Sequence, residues 1–297
     1  MRWKQVGAVL LLGQLFALLS ALSGVFAKQL AALGLATPVL NTLLAYALLL
    51  LFFLVSRDRS APGWSYPVSS LFDTAAFVSS VFAFARSPIA SVTMILFLSV
   101  LVTALLSRLC FRTRYSCLHA LALLLCLLGV LLTVSTDLRD TAGHFSLGSL
   151  DGDLFAFCSA LCYGATSVLS DFQLRRGTNN FALTAFLGLF GLLYTAPLFL
   201  LHQEYELLPA VPSHPSSLLL YLAYALTGAG IYGSAQLLIR LAGATIFRVV
   251  GLSATLYAMV FDSLLFGSPF KLEYILGYIL IIGGVLIFSL KDPEYRQ

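Results

Sequence analysis

Along nearly the whole chain, apolar residues come in runs long enough to cross a bilayer, about 20 residues each, separated by short polar or Pro/Gly punctuation. Ten runs are read: 6–27, 36–56, 67–86, 89–110, 116–136, 150–174, 181–201, 216–239, 244–266 and 272–290. Each predicts a helix, because in lipid a spanning segment must satisfy its own backbone hydrogen bonds. The breaks include Thr37-Pro38, Arg57-Asp58-Arg59, Arg112-Thr113-Arg114, Arg175-Arg176-Gly177, Pro209 to Pro215 and Gly267-Ser268-Pro269. Residues 72–109 could be read as one span. Pro88 would interrupt such a helix, and the stretch has the length of two spans, so Ser87-Pro88 is taken as a tight hairpin.

Composition agrees with lipid as the main solvent. Of 297 residues, 60% are hydrophobic and 10% charged, against roughly 25% charged in a soluble domain. Ten spans leave only short loops and no room for a separate soluble domain. The net charge of +4 comes from loop residues, and no basic cluster with interleaved aromatics suggests nucleic-acid binding. The five cysteines, Cys110, Cys117, Cys126, Cys158 and Cys162, fall in no outer loop, so no structural disulfide is expected. Cys158 and Cys162 lie one turn apart without a histidine in register, which reads as packing rather than a metal pair. No cofactor is expected.

Charge placement orients the helices. With the N-terminus in the cytosol, twelve basic residues fall inside: Arg2, Lys4, Arg57, Arg59, Arg108, Arg112, Arg114, Arg175, Arg176, Arg240, Lys291 and Arg296. Four fall outside: Lys28, Arg86, Arg139 and Lys271. Arg248 lies within a run. Lys and Arg favour cytosolic loops, so both termini are expected there. The start, Met1-Arg2-Trp3-Lys4 and an apolar run, resembles a leader. It is read as the first span, because the run contains a segment repeated later.

That repeat is residues 13–22, which return as residues 152–161 with seven of ten positions identical. Small residues recur every fourth position: Gly13, Ala17 and Ala21, then Gly152, Ala156, Ala160 and Gly164. This spacing puts them on one helix face, where two backbones can approach closely. A second correspondence, residues 90–137 on 244–291 without gaps, matches Ala90, Leu98, Ser99, Ala104, Gly129, Leu132 and Ser135 to Ala244, Leu252, Ser253, Ala258, Gly283, Leu286 and Ser289. With the first run crossing outward and the sixth inward, the halves are oppositely inserted. The expected fold class is therefore an all-α polytopic membrane protein: ten transmembrane helices in two inverted five-helix repeats, residues 1–141 and 142–297, forming one membrane domain.

Local motifs narrow the comparison. Leu10-Leu-Leu-Gly-Gln-Leu15, Thr37-Pro-Val-Leu40, Arg112-Thr-Arg-Tyr115, Cys126-Leu-Leu-Gly-Val130, Gly152-Asp-Leu154, Tyr163, Ala244-Thr245 and Leu256-Tyr257 together resemble solute carrier family 35, subfamily F, within the drug/metabolite transporter superfamily. The resemblance runs from about residue 9 to 290 and implies a solute transporter working by alternating access. The chain departs from the family pattern at three places. Leu98-Ser99-Val100 stands where a Gly-Ile-Pro is usual, Arg248 where Asn is usual, and Thr255 where Asp is usual. Those positions face the cavity in the family pattern, so substrate identity is not carried over.

Intramembrane polar residues supply the candidate site. Asp73, Asp171 and Arg248 should sit at similar depth near the cytosolic side; charge there is costly, and Arg248 is expected to pair with one of the two aspartates when the cytosolic side is closed, as a charge gate that opening would release to substrate or water. The alternative is that all three snorkel to the headgroups. Asn41, Tyr163, Tyr232, Gln236 and Tyr257 are candidates to line a midplane solute pocket; the alternative is that they bond helix to helix, as is expected of Gln14. Apart from Arg248, the cationic residues near the spans, Arg240, Lys28 and Arg86, lie at the rims, whereas a nucleotide sugar's diphosphate calls for clustered Lys or Arg. A nucleoside-like or base-like solute suits the tyrosine-rich lining better. A nucleotide-sugar transporter of the same superfamily and a non-transporting receptor or scaffold are the competing readings. The four histidines show no catalytic or metal spacing and no Walker loop occurs, so no enzyme is expected. The partners are a small-molecule substrate and the bilayer. A homodimer is a further candidate assembly, and the chain is read as a multi-pass integral membrane protein of an endomembrane or the plasma membrane.

Overall fold

The computed structural model describes residues 3–56, 63–111, 116–141, 147–213, 215–267 and 272–289. Of the basic residues used to orient the chain, Arg2, Arg57, Arg59, Arg112, Arg114, Lys271, Lys291 and Arg296 lie outside the described residues. The described residues form twelve α-helices and no strand: α1 Trp3–Ala32, α2 Pro38–Leu49, α3 Phe52–Val55, α4 Ser65–Arg86, α5 Ile89–Leu96, α6 Leu98–Phe111, α7 Cys117–Thr141, α8 Leu147–Arg175, α9 Asn180–Leu201, α10 Pro215–Val250, α11 Ala254–Phe266 and α12 Leu272–Ser289. Seven helical stretches are long and apolar enough to cross a membrane, and Cys117–Gly129, Ala254–Phe266 and Leu272–Gly284 are shorter apolar helices.

Four of the expected runs are subdivided or joined. The 36–56 run becomes α2 and α3, with a turn at Leu50 and Leu51. The 89–110 run is interrupted at Phe97. The gap expected between 239 and 244 contracts to one residue, because Gly243 takes φ 83° and ψ 163° while helix continues on both sides. An L side chain rarely adopts that backbone conformation, so the chain turns there without needing a loop. Pro88, with extended ψ, makes the hairpin between α4 and α5, as expected.

Side-chain contacts give the helix directions. Ser159 Oγ donates to the Ala76 carbonyl at 2.7 Å, Tyr66 and Thr178 hydroxyls meet at 3.1 Å, and Phe82 stacks on Phe155. Numbers rising along α4 while falling along α8 make the pair antiparallel. The principal pairings are α4 with α8, α1 with α10, α2 with α9, and α7 with α12. Further pairs are α6 with α8, α1 with α11, α4 with α9, and α10 with α2. Under the expected division at residue 141, exchange of the two halves would turn α4–α8 into α1–α10, α6–α8 into α1–α11, and α4–α9 into α2–α10, all of which are pairs observed here.

Close approach depends on the small residues. Ala17, Ala21, Ala156 and Ala160 have no exposed surface. A Cβ at Gly13 would strike Val250, one at Gly152 Ser87, and one at Gly164 Val102. The small-residue stripes of α1 and α8 are thus packing faces. Between α7 and α12 the same device is reciprocal: a Cβ at Gly129 would lie 2.5 Å from the Gly277 carbonyl, and one at Gly284 2.5 Å from the Ala122 carbonyl. Leucines such as Leu11, Leu54, Leu109, Leu201 and Leu264 stay exposed around the bundle, as a lipid-facing surface requires.

The bundle has two distinct ends. At one, Tyr66 meets Thr178, and Arg240 donates to Asn180 Oδ1 at 3.2 Å. At the other, Lys28 pairs with Asp262, Thr37 bonds Tyr221 at 2.7 Å, and Glu204 accepts from the backbone N–H groups of Val39 and Leu40. Glu204 thereby caps α2, whose own N-cap residue Thr37 makes no side-chain cap.

Candidate functional site

Between α1, α4, α5, α6, α8 and α10 lies a cavity of about 130 Å³. Its wall is built from residues that sequence singled out and from others it did not. Tyr163 on α8, Tyr232 and Gln236 on α10, Asp73 on α4 and Arg248 beyond the Gly243 break all line it. Phe16, Phe77, Phe97 and Phe247 supply aromatic surface. Asp73 and Arg248 are the charged residues among the described lining.

Asp73 is 2% exposed. Its Oδ2 accepts from Tyr46 Oη at 2.7 Å and from the Tyr232 hydroxyl. Tyr46 is itself fully buried, edge-on to Phe77 and tilted against Tyr232. Two donors on one oxygen partly replace the water a carboxylate loses in the bilayer, and both fall on Oδ2. Tyr46 therefore holds Asp73 without lining the space.

Arg248 faces the same cavity from another wall. Its Nε donates to Ser167 Oγ at 2.8 Å, and its Nη2 donates to the Tyr163 carbonyl at 2.9 Å. The guanidinium lies over the rings of Tyr163 and Phe247, at 5.1 and 4.9 Å. These contacts place the cation without neutralising it. The expected pairing of Arg248 with an aspartate is not made in this conformation: Asp73 is held by tyrosines, and Asp171 pairs with Arg175 at 3.0 Å, one turn along α8. Asp171 stands outside the cavity lining.

Gln236 is 3% exposed, and its Nε2 reaches Ser170 Oγ at 3.5 Å. Its Oε1 is buried without a hydrogen-bond partner, an arrangement that costs stability unless something donates to it. The cavity thus offers acceptors at Asp73 and Gln236 and a donor at Arg248, between aromatic faces.

The other two expected lining residues sit elsewhere. Asn41 is 1% exposed on α2, with Oδ1 unpartnered. Tyr257, half-buried on α11, donates to Gln14 Oε1 of α1 at 3.1 Å, so Gln14 does join helices as expected. Sequence reasoning passed over Tyr46 and Asp262. Tyr46 carried no signal, being one tyrosine among thirteen. Asp262 did: it is an acid within an apolar helix, at the depth of Lys28 in the expected topology.

Comparison with known proteins agrees with this architecture. The model of the solute carrier family 35 (SLC35F) matches residues 2–290. Solute carrier family 35 member F2 of Mus musculus is 27% identical over 281 residues, covering 87% of this chain and 73% of that protein. The Xenopus tropicalis member F2 is 26% identical over 239 residues, covering 79% and 61%. An uncharacterized solute carrier family 35 member of Schizosaccharomyces pombe is 22% identical, covering 99% of this chain and 60% of that one. The chain thus spans about three fifths of the length of these last two. A solved crystal structure superposes with TM-score 0.65 at 20% identity, covering 96% of this chain and 98% of the other, which shows a shared fold. Together with the apolar helices, these matches make the chain a multi-pass integral membrane protein.

Proposed function

We propose that this chain, which belongs to solute carrier family 35, carries a small, partly aromatic organic solute across the membrane by alternating access, with the cavity of Asp73, Tyr163, Tyr232, Gln236 and Arg248 as its binding site. Family membership supports transport of a solute. The observation that carries the site is the convergence, from both halves of the chain, of three hydrogen-bonding side chains with unspent capacity on one aromatic-walled cavity. The reciprocal helix pairings support ten crossings in two inverted repeats, with both ends of the chain on one side. The excess of basic residues in the loops assigned inside supports a cytosolic side for them.

Charge favours a nucleoside-like or base-like solute, and size the base-like one. About 130 Å³ is close to the roughly 150 Å³ engineered cavity that accepts benzene, so this conformation has room for about one ring. A donor edge facing Asp73 and Gln236 and a carbonyl facing Arg248 would use all three side chains. One guanidinium already bonded to Ser167 and Tyr163 is a poor match to a diphosphate, which tells against a nucleotide sugar.

Uptake of labelled nucleobases and nucleosides into proteoliposomes tests the reading. We expect transport of at least one, and Gln236→Leu should reduce uptake by about tenfold, as loss of one buried hydrogen bond to a ligand does. If nothing in the panel moves, and a thermal-shift screen of nucleotide sugars gives saturable binding at this cavity, the base-like reading is wrong.

A further inference from the structure

At the end opposite Arg240, the cavity stops about a turn short of the α4–α5 hairpin, where Phe84 and Thr93 line it. Immediately beyond, Asp262 of α11 does two things. Its Oδ1 takes the Lys28 ammonium at 2.7 Å, and its Oδ2 accepts the Ala90 backbone N–H at 3.2 Å. Lys28 belongs to α1 and also lies 4.3 Å from the Phe266 ring centroid. One carboxylate, its side chain 4% exposed, therefore ties the first helix, the start of α5 and α11 together over the cavity. On the hairpin's other flank, Ser91 Oγ reaches Asp153 of α8 at 3.5 Å, and the Arg86 guanidinium lies near the Phe82 and Phe155 rings.

The internal repeat shows whether the other end carries an equivalent tie. The correspondence of 90–137 with 244–291 pairs Asp262 with Arg108, and that of 13–22 with 152–161, continued along the same helices, pairs Lys28 with Ser167. A serine and an arginine cannot make the ion pair, and Ser167 instead accepts from Arg248. Ala90 corresponds to Ala244, next to Gly243, where a Cβ would meet open space. The ends are therefore built differently: this tie of charges at one has no counterpart at the repeat-related positions of the other.

We infer that Lys28, Asp262 and the Ala90 amide form a latch that closes the cavity at the Lys28 end, and that solute enters the latched state from the Arg240 end. This rests on the alternating-access reading. Opening at the Lys28 end separates α1 and the α4–α5 hairpin from α11, so the ion pair must break. The latch biases a two-state equilibrium toward closure there. Removing one partner alone would leave a buried charge uncompensated. Lys28→Met combined with Asp262→Asn removes both charges, and the amide oxygen introduced by the second change can still accept from the Ala90 N–H.

The test needs no substrate, so its outcome is separate from that of the uptake experiment. It uses detergent-purified full-length protein with the five native cysteines replaced by alanine. A single cysteine is then introduced by Thr93→Cys, three residues from Ala90, or by Ala235→Cys, five residues from Arg240, both on the cavity wall. With the latch intact, a polar maleimide should label the Ala235→Cys protein at least about tenfold faster than the Thr93→Cys protein. In the K28M/D262N background, labelling of the Thr93→Cys protein and amide exchange around Ala90 should rise on the order of tenfold, with exchange around Asn180 and Arg240 unchanged. Lys28→Arg should behave as wild type. Equal labelling at the two positions with the latch intact would overturn the inference. So would exchange that rises equally at both ends, since that marks a clamp on the fold as a whole. The comparison with the latch intact decides the matter even where the double variant does not fold.

Discussion

At the scale of single residues, the fold depends on how each buried polar group is answered. Glu204 is the clearest case outside the membrane-spanning helices. Burial raises its carboxyl above the usual range, and the Val39 and Leu40 amides only partly offset this. A carboxyl whose folded-state value is raised binds more protons folded than unfolded, so its contribution to stability is present at low pH and lost as pH rises through the folded value. Thermal unfolding measured against pH should therefore show a falling contribution above about pH 4.3, the ordinary Glu value. Glu204→Gln should remove that slope, and a wild type and variant with parallel pH profiles would contradict the assignment. The same logic exposes how unevenly the site could be read from sequence. Tyr163, Tyr232 and Gln236 were legible as polar groups at membrane depth. Asn41 and Tyr257 looked the same in sequence and fell on other faces, because a helix carries a polar side chain to the cavity or to a neighbour according to a rotation that one sequence does not report.

Among the elements, close backbone approach and one special glycine do the positioning. Gly129 and Gly284 each meet backbone of the opposing helix, so Gly284→Ala should separate α7 from α12 at a cost of about 1–3 kcal/mol, seen as a lower unfolding temperature. An unchanged value would mean that the helices slide without loss. Gly243 is a different case. A Cβ there has open space around it, yet φ of 83° makes any side chain strained, at about 1–3 kcal/mol. Gly243→Ala should lower stability and displace Arg248, which the break aims at Ser167 and the Tyr163 carbonyl; altered maleimide reactivity in a Ser167→Cys background would report the displacement. Helix existence was plain from the apolar runs, and most ends agree within a few residues. The turn at Leu50, the interruption at Phe97 and the continuation through Gly243 were not, because lipid-compatible residues carry little punctuation and packing sets the kinks.

For the molecule as a whole, reciprocal pairing of α1 with α10 and α8 with α4 is what an inverted duplication would produce. Ten crossings, an even number, would place the two ends of the chain on one side. Epitope tags added at the two termini should become protease-accessible together in sealed vesicles; tags protected on opposite sides would rule out ten crossings. The sequence by itself determined the solvent, the helical class and the family, because those follow from apolar runs, charge counts and motif order, which are sums along the chain. Only the tertiary structure decided which polar groups share a cavity, that Tyr46 holds Asp73, and that Lys28 meets Asp262 across 234 residues. Those depend on helix rotation and contact between distant segments. In a chain where nearly every helix face is apolar enough for lipid, such choices are made by packing small residues and by finding partners for the few charges.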